Sequence, residues 1–250
     1  MRRRDRAARR VRRTVRWVVA LAVAALLALV GYGWVRQHPQ DNPWAPLDLS
    51  QPVGMFTGRK LAALGSDFPG CRALLDRAGV KYTVLPERSE GERCGYADGL
   101  RFTADDPRIT PFSPANLGTA CPVSAALALW QWEVVQPAAE RHFRMRVSHI
   151  EHLGSYNCRR LYGRSSGDFS QHATADAVDI SGFRLADGTR VTLVADWTKA
   201  GPRAAFLRDV RDGACGVFAT VLSPDYNAAH RDHLHLDQAD RGAMSWRACR

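Results

Sequence analysis

Histidine is scarce in this 250-residue sequence, with eight in the chain, and several familiar motifs are missing altogether. There is no G-x-S-x-G elbow, no P-loop and no Rossmann glycine pattern, which removes the commonest serine-hydrolase, nucleotide and dinucleotide readings. No two cysteines are spaced C-x-x-C, so nothing nucleates a cysteine zinc site. Neither an internal repeat nor a low-complexity tract is present. Basic charge is also lacking where nucleic-acid binding would need it. The formal net charge is +10, but nine arginines and one aspartate within residues 1–16 account for +8 of it. The other 234 residues carry 26 basic against 24 acidic side chains, so no nucleic-acid partner is expected.

The arginine-rich segment 1–16 is followed by "WVVALAVAALLALVGYGWV", residues 17–35, without a single charge. Nineteen residues at about 1.5 Å each reach roughly 28 Å, enough to cross a hydrocarbon core. Trp17 at one end and Tyr32 and Trp34 at the other fit interfacial aromatic belts. The positive-inside rule keeps residues 1–16 cytoplasmic and sends residues 36–250 across the membrane. A cleaved signal peptide competes with this reading, but "GYGWVRQ" has bulky residues where a small A-x-A site is wanted. A single-pass anchor in a bacterial inner membrane, with the C-terminal domain in the periplasm, is therefore expected. All six cysteines lie beyond the anchor, as suits an oxidising compartment with three disulfides. Nearest-neighbour pairing, one of fifteen possibilities, would join Cys71–Cys94, Cys121–Cys158 and Cys215–Cys249.

Four prolines between residues 36 and 54 read as an extended tether, with a soluble domain over 55–250. Within that domain "CRALLDRAGV" predicts a short helix ending at Gly79, and "KYTVLP" a strand. "CPVSAALALWQWEVVQPAAERHF" predicts the long core helix, bent at Pro137. "MRVSHIEHL" alternates like a strand, and "GFRLADGTRVTLVADW" is a hairpin about Asp187-Gly188. "RAAFLRDVRDGAC" and "GVFATVL" add a helix and a strand. Without a βαβ rhythm the fold class is α+β, a small, mainly antiparallel sheet with flanking helices, preceded by one transmembrane helix.

Three of the eight histidines, His230, His233 and His235, fall within "AAHRDHLHLD". On a strand, His233 and His235 share one face while Leu234 and Leu236 take the other. Upstream, "FSQHATADAVDISGF" places His172 seven residues before Asp179, a carboxylate among apolar neighbours that needs a partner because burying an unpaired charge is expensive. An arginine would serve, and so would Zn²⁺, which takes histidine nitrogen and carboxylate oxygen readily. Two histidines on one strand face with a His…Asp pair available favour the metal. Three protein donors and one open position would describe a catalytic site.

"SQHATADAVD" is similar to the S-x-H-x-x-G-x-A-x-D motif of the zinc peptidases that group lysostaphin-type enzymes, D-Ala-D-Ala metallopeptidases and the Hedgehog N-terminal domain. Ala175 stands where that motif has glycine. "HLH" matches their H-x-H, and "GSYNCR" (154–159) resembles the arginine-bearing segment of the D-Ala-D-Ala branch. Together with "VLSPDYNAAHRDHLHLD" and "CPVSAALALWQW", these stretches most resemble the bacterial extensin-like C-terminal domain family, over roughly residues 65–240. The resemblance implies that His172, Asp179 and His235 hold Zn²⁺ and that His233 faces the reacting water. His230 would be a further active-site histidine, and Asp232 stands where other branches carry an acidic base, so His233 and Asp232 are both candidates for that role. Arg159, with Arg160 as its understudy, would hold a substrate carboxylate or an oxyanion.

The expected function is a membrane-anchored periplasmic zinc-dependent amidohydrolase cleaving peptide bonds of peptidoglycan. Its partners would be the peptidoglycan peptide and, through residues 17–35, the inner membrane. The alternative is a non-catalytic cell-wall-binding or scaffold domain that keeps the fold and the metal, a reading the Ala175 substitution leaves open.

Overall fold

The apolar run after the arginine cluster continues as one helix, α1 (Arg2–Gln37), in a computed structural model that describes residues 2–91, 93–239 and 247–250. Its side chains from Val11 to Val35 point outward and find no apolar cover in the chain. Among the described residues it is the one helix long and apolar enough to cross a membrane.

The helices that follow are α2 (Thr57–Ala62), α3 (Phe68–Arg77), α4 (Cys121–Trp130), α5 (Gln136–Phe143), α6 (Leu193–Asp196) and α7 (Pro202–Ala214). The strands are β1 (Tyr82–Val84), β2 (Arg88–Ser89), β3 (Gly95–Tyr96), β4 (Gly99–Phe102), β5 (Phe112–Ser113) and β6 (Thr119–Ala120). After them come β7 (Val147–Gly154), β8 (Ala177–Leu185), β9 (Arg190–Thr192), β10 (Thr220–Leu222), β11 (Leu234–Asp237) and β12 (Ala248–Cys249). The fold is mixed α+β. The main sheet runs β12-β10-β11-β8-β7-β5, with β9 also paired to β8. Its pairs are antiparallel except β10–β12 and β5–β7. A smaller sheet, β1-β4-β6, and the β2–β3 hairpin complete the strands.

Every residue of α4 is buried, which is why its sequence is apolar all round rather than striped. The bend expected at Pro137 takes the form of a π turn over Gln131–Val135, where the Gln136 N–H reaches back to the Gln131 carbonyl. Proline has no N–H and its ring crowds the carbonyl four residues earlier, so a widened turn just before it relieves the clash. Trp130 then donates from its indole to the Val210 carbonyl at 3.1 Å, locking the helix to α7. The Pro-rich segment is not a free tether. Leu49 and Gln40 are buried, Met55 N–H bonds Asp41 Oδ1 at 2.7 Å, and Lys60 Nζ bonds the Pro39 carbonyl and Gln40 Oε1. Its aliphatic side chains Leu47, Leu49 and Val53 are too scattered to show a period, yet all three pack on the core, while Trp44 stays exposed.

The cysteines pair Cys71–Cys121, Cys94–Cys158 and Cys215–Cys249. Only the third agrees with nearest-neighbour pairing. The other two are crossed because α3 packs on the start of α4, bringing Cys71 to Cys121, while the β2–β3 hairpin folds over the loop after β7 and brings Cys94 to Cys158. With sequence separations of 50 and 64, each crossed bond contributes roughly 4 kcal/mol by the chain-entropy argument.

Ala175 has φ +57° and ψ 17° and is buried. This left-handed residue turns the chain from the short helix that carries His172 into β8, and its carbonyl accepts from Ala120 N–H and Ser155 Oγ. A glycine would adopt that conformation freely. Alanine does so at a cost of about 1–2 kcal/mol, which explains how the substitution is tolerated.

Two measurements test this picture. Peptide mapping of non-reduced protein is expected to find the 71–121, 94–158 and 215–249 links. A 71–94 link would refute the crossed arrangement. Ala175→Val puts a β-branched side chain at a left-handed, closed position and is expected to lower stability by about 2 kcal/mol or more, read as a drop in Tm. An unchanged Tm would show that the turn is not left-handed.

Candidate metal centre

Strand alternation builds the floor of the site. Across the β8–β11 pair His235 lies opposite Asp179, Leu234 opposite Ile180 and Leu236 opposite Val178. The four aliphatic side chains are fully buried on one face, so the imidazole and the carboxylate must emerge on the other. On β10, Leu222 faces His235 and Thr220 faces Asp237, and these residues line the same cavity of about 880 Å³. His172 comes from the turn Gln171–Thr174, capped by Ser170, whose Oγ accepts the His172 N–H.

Three donors converge there. His172 Nε2 lies 3.2 Å from Asp179 Oδ2 and 3.2 Å from His235 Nδ1, and His235 Nδ1 lies 2.9 Å from Asp179 Oδ1. A tetrahedral zinc site with bonds of about 2.0–2.1 Å has ligand–ligand edges of about 3.3 Å; the two nitrogens stand at about that spacing, and with one donor atom per residue all three lie within 4.8 Å of one another. The outer atoms assign the inner ones. His172 Nδ1–H donates to the Ser155 carbonyl at 2.6 Å, which leaves the Nε2 lone pair aimed at the centre. His235 Nε2–H donates to Asp237 Oδ2 at 3.3 Å, leaving Nδ1 as the inner atom. Two inner imidazole nitrogens 3.2 Å apart require either a shared proton or a cation between them. The donor set therefore fits a borderline-soft divalent ion such as zinc.

Electrostatics agree. Burial would raise the Asp179 pKa, but the close approach of His172 and His235 and the nearby His233 outweigh it and hold the carboxyl well below the usual range. Burial works against the charged form of His235, yet Asp179 and Asp237 push its pKa up to about 9. Burial also acts on His230, and with His233, His235 and Arg159 nearby its pKa is pushed down to about 4, so this ring is neutral.

The candidate residues separate cleanly. His172, Asp179 and His235 form the donor cluster. His233 sits just before β11 with Nε2 at 3.5 Å from Asp179 Oδ1, and its Nδ1–H donates to Asp232 Oδ1 at 2.9 Å. Asp232 is half-exposed and does not line the cavity; it touches His233. His230 lines the cavity and its Nδ1–H donates to Asn227 Oδ1 at 2.8 Å. Arg159 lines the cavity as well, whereas Arg160 lies over the Phe169 ring and donates to the Gly167 carbonyl, serving its own loop.

Some participants are not among the residues singled out by the sequence patterns above. Asp237 is two residues after His235 on the same strand face, and period-two alternation was signal enough to find it. The Ser155 carbonyl is backbone and leaves no trace in residue type. Arg93, Tyr162 and Tyr226 also line the cavity from three separate loops. Trp130 and Trp197 are core residues, and no tryptophan among the described residues lines the cavity. His142 pairs with Asp209 and His152 with the Pro114 carbonyl, both structural.

Comparison with curated proteins and with solved structures finds no match for this chain. The sequence does match the family described as "Extensin-like protein C-terminus" over residues 69–250, which takes in both crossed disulfides, every donor of the candidate metal centre and the strands that hold them. The chain belongs to the extensin-like protein C-terminus family.

Proposed function

We propose that this protein is a zinc-dependent amidohydrolase of the Hedgehog/D-Ala-D-Ala-peptidase type, anchored in a bacterial inner membrane and cleaving peptide bonds of peptidoglycan in the periplasm. One observation carries the reading: two imidazole nitrogens and a carboxylate converge within 4.8 Å of one another on the floor of a large open cavity, beside a histidine that is not needed as a ligand. A purely structural ion would need a closed shell of four protein ligands. The apolar α1 and the three disulfides support export and anchoring.

His172 Nε2, Asp179 and His235 Nδ1 would hold the zinc, which supplies Lewis acidity to a carbonyl oxygen and a nucleophile at neutral pH. The chain's own residues do the rest. His233 presents Nε2 to the cavity, and Asp232 holds its Nδ1–H, so the ring is oriented to take a proton at Nε2 and return it to a leaving amine. His230 is neutral and fixed by Asn227, available as a hydrogen-bond partner at its other nitrogen. Arg159 brings a fixed positive charge to the same cavity, for a carboxylate or for negative charge developing on oxygen.

The variants that test this use the full chain in detergent. His172→Ala, Asp179→Ala and His235→Ala are each expected to lose zinc, read by metal analysis. His233→Ala is expected to keep near-stoichiometric zinc and lose muropeptide cleavage by about 10²–10⁴-fold. Asp232→Asn, acting through His233, is expected to lose about 10–100-fold. Zinc retained by all three ligand variants would remove the metal site. A parent that binds zinc yet cleaves no peptidoglycan peptide would replace the enzyme with the wall-binding scaffold.

A proton count is a separate check. His235, with its pKa pushed up to about 9, holds a proton in the metal-free protein at pH 7.5, and zinc must displace it. Calorimetry in buffers of different ionisation enthalpy is expected to show release of about one proton at pH 7.5, falling as the pH rises through about 9. No proton release at pH 7.5 would mean that zinc binds elsewhere.

A further inference from the structure

The two most exposed large apolar side chains among the described residues, Trp44 at 90 % and Met55 at 73 %, both belong to the stretch where the chain leaves α1 and enters the domain. Both sit on backbone that is fixed. Trp44 N–H bonds Asn42 Oδ1 at 3.0 Å within the turn Asn42–Ala45, where Ala45 N–H reaches the Asn42 carbonyl. Met55 N–H bonds Asp41 Oδ1 at 2.7 Å, fourteen residues back along the chain. A single exposed apolar side chain needs no explanation, but two held out beside the same stem do.

The stem leaves no slack between helix and domain. α1 ends at Gln37, yet His38 N–H still bonds the Trp34 carbonyl at 2.9 Å and the two rings stack with centroids 4.0 Å apart. The next turn, Pro39–Asp41, is already part of the domain. Phe56 N–H bonds the Gln40 carbonyl at 3.1 Å, Lys60 Nζ bonds the Pro39 carbonyl, and the Gln40 amide donates to the Pro46 carbonyl at 3.3 Å. From Trp34 to Asp41 the rise is about 12 Å, four residues at about 1.5 Å and three at about 2.0 Å. The headgroup layer of one leaflet is itself about 5–8 Å thick. With Trp34 in the interfacial belt, Asp41 and the Met55 backbone bonded to it stand only a few ångströms beyond the headgroups. One long side chain spans that gap.

The chemistry of this surface selects the partner. Pro43, Trp44, Pro46 and Met55 are all exposed, and the charges nearby balance, Asp41 and Asp48 against Arg59 and Lys60. Balanced charge gives no long-range pull towards a polyanion. An indole and a thioether gain instead by burial at a boundary that is apolar on one side and wet on the other.

We propose that Trp44 and Met55 dip into the headgroup boundary of the same bilayer that α1 crosses, so that the domain rests on the membrane and does not hang from a tether. The inference rests on the anchoring in the proposed function and deepens it by setting the reach of the site. A domain of about 200 residues is roughly 40 Å across, so the cavity works within that height of the bilayer. The substrate it meets is peptide at the membrane face of the wall.

All six cysteines are paired, so one added cysteine is the only thiol available to a fluorescent label. Full-length protein labelled at Trp44→Cys, Met55→Cys, Val194→Cys or Leu26→Cys is reconstituted in phosphatidylcholine vesicles containing a lipid with a nitroxide on its headgroup or on its acyl chain. Val194, 70 % exposed on α6, gives the background. Asp196 of α6 lies by Arg203 at the start of α7, whereas Gly216, past the end of α7, adjoins Val53, so the two places are about 19 Å apart. Leu26, in the middle of the span, reports the anchor. The headgroup nitroxide is expected to quench the labels at 44 and 55 at least about threefold more strongly than the label at 194, with unchanged circular dichroism. Quenching at either position no stronger than at 194, while the acyl-chain nitroxide quenches Leu26→Cys, overturns the proposal and leaves the anchor standing. An unquenched label at 26 removes the anchor and the proposal together. Labels at 44 and 55 that lose water exposure only as protein density in the vesicles rises would assign the surface to a second copy of the chain, and so overturn it too.

Discussion

The register of β11 against β8 is the constraint on which the site depends. With His235 opposite Asp179, the neighbouring Val178, Ile180, Leu234 and Leu236 fill the core from the other face. A one-residue slip of β11 would turn the His235 imidazole into the core and expose Leu234 and Leu236, each worth about 1.5–3 kcal/mol when buried. The polar cluster does not hold this register by itself. It is held by the same alternation that builds the hydrophobic core, so the site inherits its precision from packing.

The sheet and the loops divide the labour. The sheet supplies Asp179 and His235 and, through Asp237, the outer partner of His235. A short capped turn, reached through a left-handed Ala175, supplies His172. The loops supply the groups that would meet a ligand: Arg159, Arg93, His230 and His233 all line the cavity. Flexible segments make poor scaffolds for exact placement, and here the compensation is visible. The arginine loops are joined covalently by Cys94–Cys158, and Asp232 and Asn227 each hold one nitrogen of a histidine on their own stretch of chain.

Around Asp179 three histidines lie within hydrogen-bonding or ion-pair distance of a single carboxylate. Such a cluster is expensive to bury without a cation, and its protonated form is a poor substitute for one because protons cannot satisfy converging lone pairs from three directions. Membership of the extensin-like family accounts for the shared motifs, but the argument for a metal rests on these donors and their spacing.

Much was legible in the residues because it depends on local period. The helix after the arginines, the Asp187-Gly188 hairpin, the long helix upset at Pro137 and the shared face of His233 and His235 all follow from spacings within a few residues. The residue types that converge on Asp179 were legible for the same reason, since few side chains suit a buried carboxylate beside histidines. The disulfide pairs were not, because nearest-neighbour order carries no information about α3 packing on α4 or the hairpin folding over the loop after β7. Nor could residue order separate Arg159 from its neighbour Arg160, assign Asp232 to His233 in place of the centre, or bring Arg93 within reach of the cavity. Those outcomes depend on where distant segments of chain meet, and that is decided by the closing of the core, not by any pattern along the chain.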